Sequence, residues 1–321
     1  MTILAGLDIG GTKCAASLGR VVGDGVEPLA RRAFPTPPSP DATMGQLGDT
    51  LAGLMAEHRA SPAAVGVSCG GPLSSALGLV LGPPNLPGWE RVDVLSPLRA
   101  RFSVPAALQN DANACALAEW RWGAGRGCRT MAFLTFGTGM GAGLIIDGRL
   151  HSGVSDMAGE IGHVRLERDG PVGYGKAGSV EGFCSGGGIA QLARAMAERA
   201  LAAGEAPAFC RAPDELELIT AQRVGEAAQA GDGLALEVWR VVGEQLGRTL
   251  AILVDLLNPE RIVIGSIYGR QRALLEPVVQ RVLACEALPI ALAACQVLPA
   301  GLGERVGDYA SLSVALHALS V

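Results

Sequence analysis

Ile3-Leu-Ala-Gly-Leu-Asp8-Ile-Gly10-Gly11-Thr12-Lys13-Cys14-Ala-Ala-Ser-Leu-Gly-Arg-Val-Val22 reads as a strand, a tight glycine turn and a second strand. A third strand over residues 26–34 follows through another short turn. The device returns later, where residues 130–136 (Thr-Met-Ala-Phe-Leu-Thr-Phe) and 141–147 flank Gly137-Thr138-Gly139-Met-Gly141. Two halves that each open strand, glycine turn, strand form an internal structural repeat, although their residues barely match.

Between the two openings, the Pro-rich Pro35-Thr-Pro-Pro-Ser-Pro40 leads into a helix capped by Asp41, with Leu47, Leu51, Leu54 and Met55 on one apolar face. A strand over 64–69, a Gly/Pro-rich loop to Trp89, a helix near 93–101 and a strand over 104–109 follow. An Ala-rich helix then runs from Ala112 to Trp122. The order βββαβαβα predicts a mixed sheet faced by helices. The second half adds a long irregular segment, helices over 186–203, 220–230 and 232–257, strand 261–264, helix 271–285 and strand 295–298. An amphipathic stretch from Val306 to Leu319 closes it. No low-complexity linker divides the halves, so the boundary near 115–125 is expected to act as a hinge.

Composition narrows the function. With 49% hydrophobic and 18% charged residues over 321 positions, the chain can bury a sizeable core and is not a disordered sequence. A net charge of −5 without a basic stretch argues against nucleic acid as a partner. No apolar run reaches membrane-spanning length, and the N-terminus runs straight into a strand without a signal-peptide pattern. Eight scattered cysteines with no C-x-x-C spacing read as buried free thiols of a cytoplasmic protein.

Both glycine turns suit phosphate. Gly10 and Gly11 let an anion approach the backbone without meeting a Cβ, and successive N–H groups of such a turn form an anion nest. Thr12 and Lys13 add a hydroxyl and a cation, while Asp8 can hold Mg²⁺ through water. Taken alone, Gly-Gly is also a good hairpin turn, and the Walker A spacing is absent. Between the turns lies Gln109-Asn110-Asp111-Ala112-Asn113 at the start of a helix. Asp111 there is either an N-cap or, between two phosphate loops, the base that takes a proton from a hydroxyl about to be phosphorylated.

In this arrangement the chain resembles a sugar kinase of the ROK family (repressor, open reading frame, kinase), within the actin/hexokinase/Hsp70 ATPase superfamily. The resemblance rests on Asp8–Lys13, Gly82-Pro-Pro-Asn85-Leu-Pro-Gly-Trp89, Asn110-Asp111-Ala-Asn113, Gly137–Gly141, Gly159-Glu160-Ile-Gly162-His163 and Glu181, in that order. It implies an α/β fold of two actin-like (ribonuclease H-like) lobes with a central cleft. The small lobe would span 1–115 plus the C-terminal helix 305–321, and the large lobe 116–304. It also implies ATP- and Mg²⁺-dependent phosphorylation of a hexose hydroxyl, with glucose to glucose 6-phosphate first and N-acetylmannosamine or another hexose as the alternative. Asp111 matches the family's base. Asn85, Asn110, Glu160, His163 and Glu181 match its sugar-hydroxyl ligands, with Gly71 lining the pocket. Asp8, Gly10, Gly11, Thr12, Lys13, Gly137, Thr138, Gly139, Gly141, Gly265 and Ser266 would serve the nucleotide. A homodimer through the large lobe is expected. The family's sugar-responsive repressors carry an N-terminal helix-turn-helix, which this sequence does not show before its first strand; a non-catalytic sugar-responsive regulator is the reading from another class.

Two departures stand out. Family members commonly carry C-x-C-G-x-x-G-C-x-E after the histidine, a zinc site. Here the stretch reads Val172-Gly-Tyr174-Gly-Lys-Ala-Gly-Ser179-Val-Glu181, so all three thiolates are replaced and no structural zinc is expected. At Gly265-Ser266-Ile267-Tyr268 a Gly-rich turn is more usual, and Ile267 and Tyr268 either alter base or sugar contacts or belong to a plain strand end entering a helix.

Overall fold

The computed structural model describes residues 2–320. In chain order the elements are β1 (Ile3–Ile9), β2 (Lys13–Val22), β3 (Gly25–Pro35), α1 (Pro40–His58), β4 (Ala64–Cys69) and three short strands, β5 (Leu73–Ser74), β6 (Leu79–Val80) and β7 (Val92–Asp93). Next come α2 (Leu95–Phe102), β8 (Ala106–Asn110), α3 (Asp111–Trp122), β9 (Met131–Phe136), β10 (Met140–Ile146) and β11 (Arg149–His151). A small hairpin, β12 (Val172–Gly173) and β13 (Lys176–Ala177), precedes α4 (Val180–Phe183), α5 (Gly186–Ala202), α6 (Ala221–Gln229) and α7 (Gly233–Leu257). The chain ends β14 (Arg261–Ile264), α8 (Ile267–Arg270), α9 (Arg272–Glu286), α10 (Pro289–Ala293), β15 (Gln296–Pro299) and α11 (Val306–Ala318). No helix among the described residues is long and apolar enough to cross a membrane.

Two compact units result. The first runs to Arg129, takes in Gly143–Ala158 and resumes at Glu304; the second comprises Thr130–Ala142 and Gly159–Gly303. The expected boundary at 115 falls inside α3, which stays whole in the first unit. There α3 is fastened to α11, since the Ser313 hydroxyl donates to the Ala114 carbonyl at 2.9 Å.

The first unit is built on a sheet ordered β3-β2-β1-β4-β8, antiparallel through β3, β2 and β1 and parallel through β1, β4 and β8. All six residues of β4 are buried, as a central parallel strand covered on both faces requires. Edge strand β3 instead carries exposed Arg31 and Arg32. On one side α1 and α2 pack Leu47, Leu51, Leu54, Leu95 and Leu98 into a core with Leu7, Val65, Val67 and Leu108. On the other side α11 lies against glycines of the sheet, where Gly6 and Gly66 are paired neighbours. The second unit is built around β14, flanked in parallel by β9 and β15, and the helix α7 buries Val238, Trp239, Val242, Leu246, Leu250 and Val254.

Three expectations change in detail. Ser39, not Asp41, caps α1, its side chain accepting from the Ala42 amide, because Pro40 occupies the first helical position and sets the start two residues earlier. The Gly/Pro-rich run before Trp89 holds two short strands, β5 and β6, of a three-stranded sheet that β7 completes. Not every cysteine is buried. Cys285 is exposed, because Leu275, Val279 and Leu283 form the inward face of α9 and leave it outside that stripe.

Candidate functional site

Three adjacent strand ends assemble the acid cluster of the first unit. In the parallel register Asp8 lies opposite Ser68 and Ser68 opposite Gln109, and Asp111 follows as the first residue of α3. Carboxyl ends of parallel strands are where open α/β sheets place ligands. The helix start answers the question left by the sequence. Asn110 is the N-cap, its Oδ1 accepting from the Asn113 amide at 2.8 Å. Asp111 is therefore not used for capping, and its Oδ1 accepts a 3.0 Å hydrogen bond from the Ser68 hydroxyl. Gln109 Oε1 accepts from Asn113 Nδ2 at 3.1 Å, which fixes the far side of the same turn.

Solvent reaches the Asp111 side chain, yet the protein around it displaces enough water to hold its carboxyl above the ordinary carboxylate range. The Ser68 hydroxyl pulls the other way. Asp8 is pushed up to about 7, first by burial and then by the negative charge of Asp111. Arg31 and Lys13 oppose the rise, and Asp308 adds to it. Negative charge gathered this way is what a divalent cation would relieve.

Thr12 and Lys13 are exposed on the first glycine turn. Gly10 closes the turn by donating to the Lys13 carbonyl, while no protein acceptor among the described residues takes the amides of Gly11 and Thr12. Asn85 stands beside this turn: a Cβ on Gly11 would sit 2.5 Å from the Asn85 carbonyl oxygen. Leu86 and Trp89 are buried and anchor the Asn85 loop, and the Gly82 amide donates to the Trp89 carbonyl at 2.7 Å. Gly71 is exposed, and its neighbour Gly70 lies against the Asp111 carboxylate.

In the second unit the other glycine turn meets the predicted sugar ligands. The Met140 amide donates to Glu181 Oε2 at 3.0 Å and the Gly141 amide to the Thr135 hydroxyl at 2.8 Å. Thr138 and Gly139 are left with amides that no described protein acceptor takes. Glu160 opens a single 3₁₀ turn, its carbonyl accepting from the His163 amide at 3.0 Å. Burial raises the Glu160 carboxyl, His163 lowers it and Glu181 raises it, so the three are electrostatic neighbours. This segment can approach β10 only because residue 159 is glycine. Its φ is +94°, and a Cβ there would overlap the Ala142 carbonyl. Ser266, at φ +51°, faces Gly137 and accepts from Arg270 at 2.9 Å, with Gly265 buried behind it. Tyr268 and Ile267 follow the second reading, a strand end entering helix α8. Tyr268 is fully buried with no partner for its hydroxyl, and Ile267 is buried too, so both face the core.

The loop lacking the family's cysteines is held by other means. The Lys176 ammonium donates to the His163 carbonyl at 2.7 Å, and Tyr174 meets the His163 ring edge-on at 5.0 Å between centroids. Gln191 clasps Val172, accepting from its amide and donating to its carbonyl, each at 3.0 Å. Ser179 donates to the Lys176 carbonyl and caps α4 by accepting from the Gly182 amide. Ser68, Lys176 and Gln191 were not picked out from sequence. The one available signal was a hydroxyl ending the otherwise apolar strand Val65-Gly-Val-Ser68.

Comparison with known proteins follows the same residues. A family model described as the ROK family matches residues 4–314. A glucokinase of Streptomyces coelicolor is 33% identical over 274 residues, covering 83% of this chain and 82% of the relative. An N-acetylmannosamine kinase of Salmonella typhimurium is 38% identical over 281 residues, 87% of each chain. Among solved structures, a ROK family glucokinase from Streptomyces griseus in complex with glucose and AMPPNP superimposes with a TM-score of 0.76 at 29% identity, over 98% of this chain and 99% of that one.

Proposed function

Since this chain belongs to the ROK family, we propose that it is an ATP-dependent sugar kinase that phosphorylates a hexose hydroxyl, with glucose as the acceptor. The observation that carries this reading is the division of labour at the start of α3, where Asn110 caps the helix and Ser68 holds Asp111 free for chemistry. In this reading Asp111 orients the sugar hydroxyl and takes its proton. Asn85, Asn110, Gly71, Glu160, His163 and Glu181 bind the other hydroxyls. Acceptors that lose their water on binding would reject sugars that lack the matching hydroxyl. The open amides of Gly11, Thr12, Thr138 and Gly139 cradle phosphate oxygens beside Gly10, Lys13, Gly137 and Gly141, and Gly265 and Ser266 line the adenosine side. Mg²⁺, when bound at Asp8 through water, neutralises phosphate charge. Phosphoryl transfer is loose, so these residues act mainly by positioning and by fixed charge.

The likeness to an N-acetylmannosamine kinase supplies the rival acceptor. A coupled ADP assay across glucose, mannose, N-acetylmannosamine and N-acetylglucosamine decides between them. Turnover with glucose well above N-acetylmannosamine supports the assignment; the reverse order replaces it. No ATP turnover with any sugar would turn the reading to a sugar-responsive regulator.

Ser68→Ala is expected to lower kcat by about tenfold, as loss of a hydrogen bond to a charged group costs about 1.5–3 kcal/mol. The hydroxyl stabilises the ionised Asp111, so its removal raises the carboxyl further. A base works deprotonated, so the acid limb of the kcat–pH profile moves to higher pH. A profile that kept its wild-type limb would remove Ser68 from this role.

Metal analysis of the purified protein is expected to find no stoichiometric zinc. The loop over 172–181 is held by Lys176, Gln191, Ser179 and Tyr174 in place of thiolates. One tightly bound zinc per chain would contradict this.

A further inference from the structure

Away from the first glycine turn, the first unit carries a pocket of about 490 Å³, lined by Trp120, Arg121 and Trp122 from the end of α3, by Arg126 beyond it, and by Asp24 and Leu316. α3 begins at Asp111, so an α-helical rise places the pocket roughly 16 Å along the helix from the acid cluster. Its indoles are set in place. Trp120 Nε1 donates to the Cys128 carbonyl at 2.8 Å, and Trp122 packs on Tyr309 with ring centroids 6.0 Å apart.

Arg121 is the unusual member. It is half-buried, its guanidinium lies 4.7 Å over the Trp120 ring, and its Nε is buried with no hydrogen-bond partner. Burial depresses its basicity, and burial first and then the Arg121 charge depress that of His317 nearby. Among the described residues it makes no ion pair. Arg121 lines the cavity, and the planar fork of a guanidinium suits a phosphate.

The geometry points to this pocket as a second ligand site, for a phosphate carried on a hydroxylated ring such as a sugar phosphate. Arg121 and Arg126 would take the phosphate, the indole walls would cover the apolar face of the ring, and Asp24 would accept from its hydroxyls. The site is made entirely of first-unit residues outside the proposed kinase machinery, so it holds whichever hexose is the acceptor.

The test titrates the full chain, without ATP, with glucose 6-phosphate and separately with inorganic phosphate, read by calorimetry and tryptophan fluorescence. Glucose 6-phosphate is expected to bind saturably and more tightly than phosphate. Arg121→Gln is expected to weaken that binding by about tenfold or more while leaving turnover unchanged. Arg126→Gln, at an exposed position, is expected to act in the same direction and guards against a folding defect in the first variant. Equal binding by the wild type and both variants would locate the ligand elsewhere and overturn the proposal. Phosphate binding with no gain from the sugar, or no binding at all, would overturn it too.

Discussion

Asp111→Asn is expected to reduce kcat by about 10²–10⁴, the usual contribution of a general base, while leaving sugar affinity and thermal stability near wild type. The expectation follows from who does what at the start of α3. Asn110 Oδ1 already caps the helix, so changing Asp111 removes no capping bond. Asparagine keeps an oxygen for the Ser68 hydroxyl to donate to, at the place where Asp111 Oδ1 now accepts at 3.0 Å. What vanishes is a negatively charged acceptor that can take a proton. Loss of charge also relieves Asp8, whose carboxyl is raised partly by Asp111. Steady-state kinetics with the best sugar of the panel, beside a thermal melt, provide the check. A variant that melts like wild type yet keeps near-normal kcat would show that Asp111 is not the base.

How far the sequence reached can be judged at particular residues. Long periodic elements were legible because burial repeats along them, and helix α7 and the largely apolar, wholly buried strand β4 are clear cases. Helix starts were harder, since several residues in a row can cap. Ser39 and Asp41 compete before α1, as Asn110 and Asp111 do before α3, and only backbone geometry settles which side chain turns back. The short β5-β6-β7 sheet was invisible, because two-residue strands have no periodicity to detect. Around the site, glycine turns and acidic motifs are read from spacing alone. Ser68 could not be read so, because its role depends on β4 and β8 being neighbours in register. Tyr268 shows the converse: a polar tip beside a motif suggested a contact, and packing buried the ring in the core.

Gly66→Ala is expected to destabilise the protein by about 3 kcal/mol or more, at the upper end of overpacking effects. In β4, Gly66 pairs with Gly6 of β1, and α11 lies directly on that pair. A Cβ on Gly66 would overlap the Ser311 carbonyl oxygen and the Ala315 amide nitrogen, both of them backbone atoms. A flexible side chain could swing away, but a helix backbone cannot. The helix would have to lift off the sheet, and other ties would go with it. Asp308 in its first turn pairs with Arg31 at 2.8 Å, and Ser313 bonds the Ala114 carbonyl of α3. Because α3 carries Asp111 at its start, the lesion should reduce activity as well as stability. Gly45→Ala is the matched control. It lies exposed within α1 with nothing near its Cβ position, so the same methyl should stabilise by about 0.5–1 kcal/mol through helix propensity. Denaturant melts of the two variants should therefore move in opposite directions. If Gly66→Ala melted at the wild-type midpoint, the close seat of α11 on the sheet would be wrong.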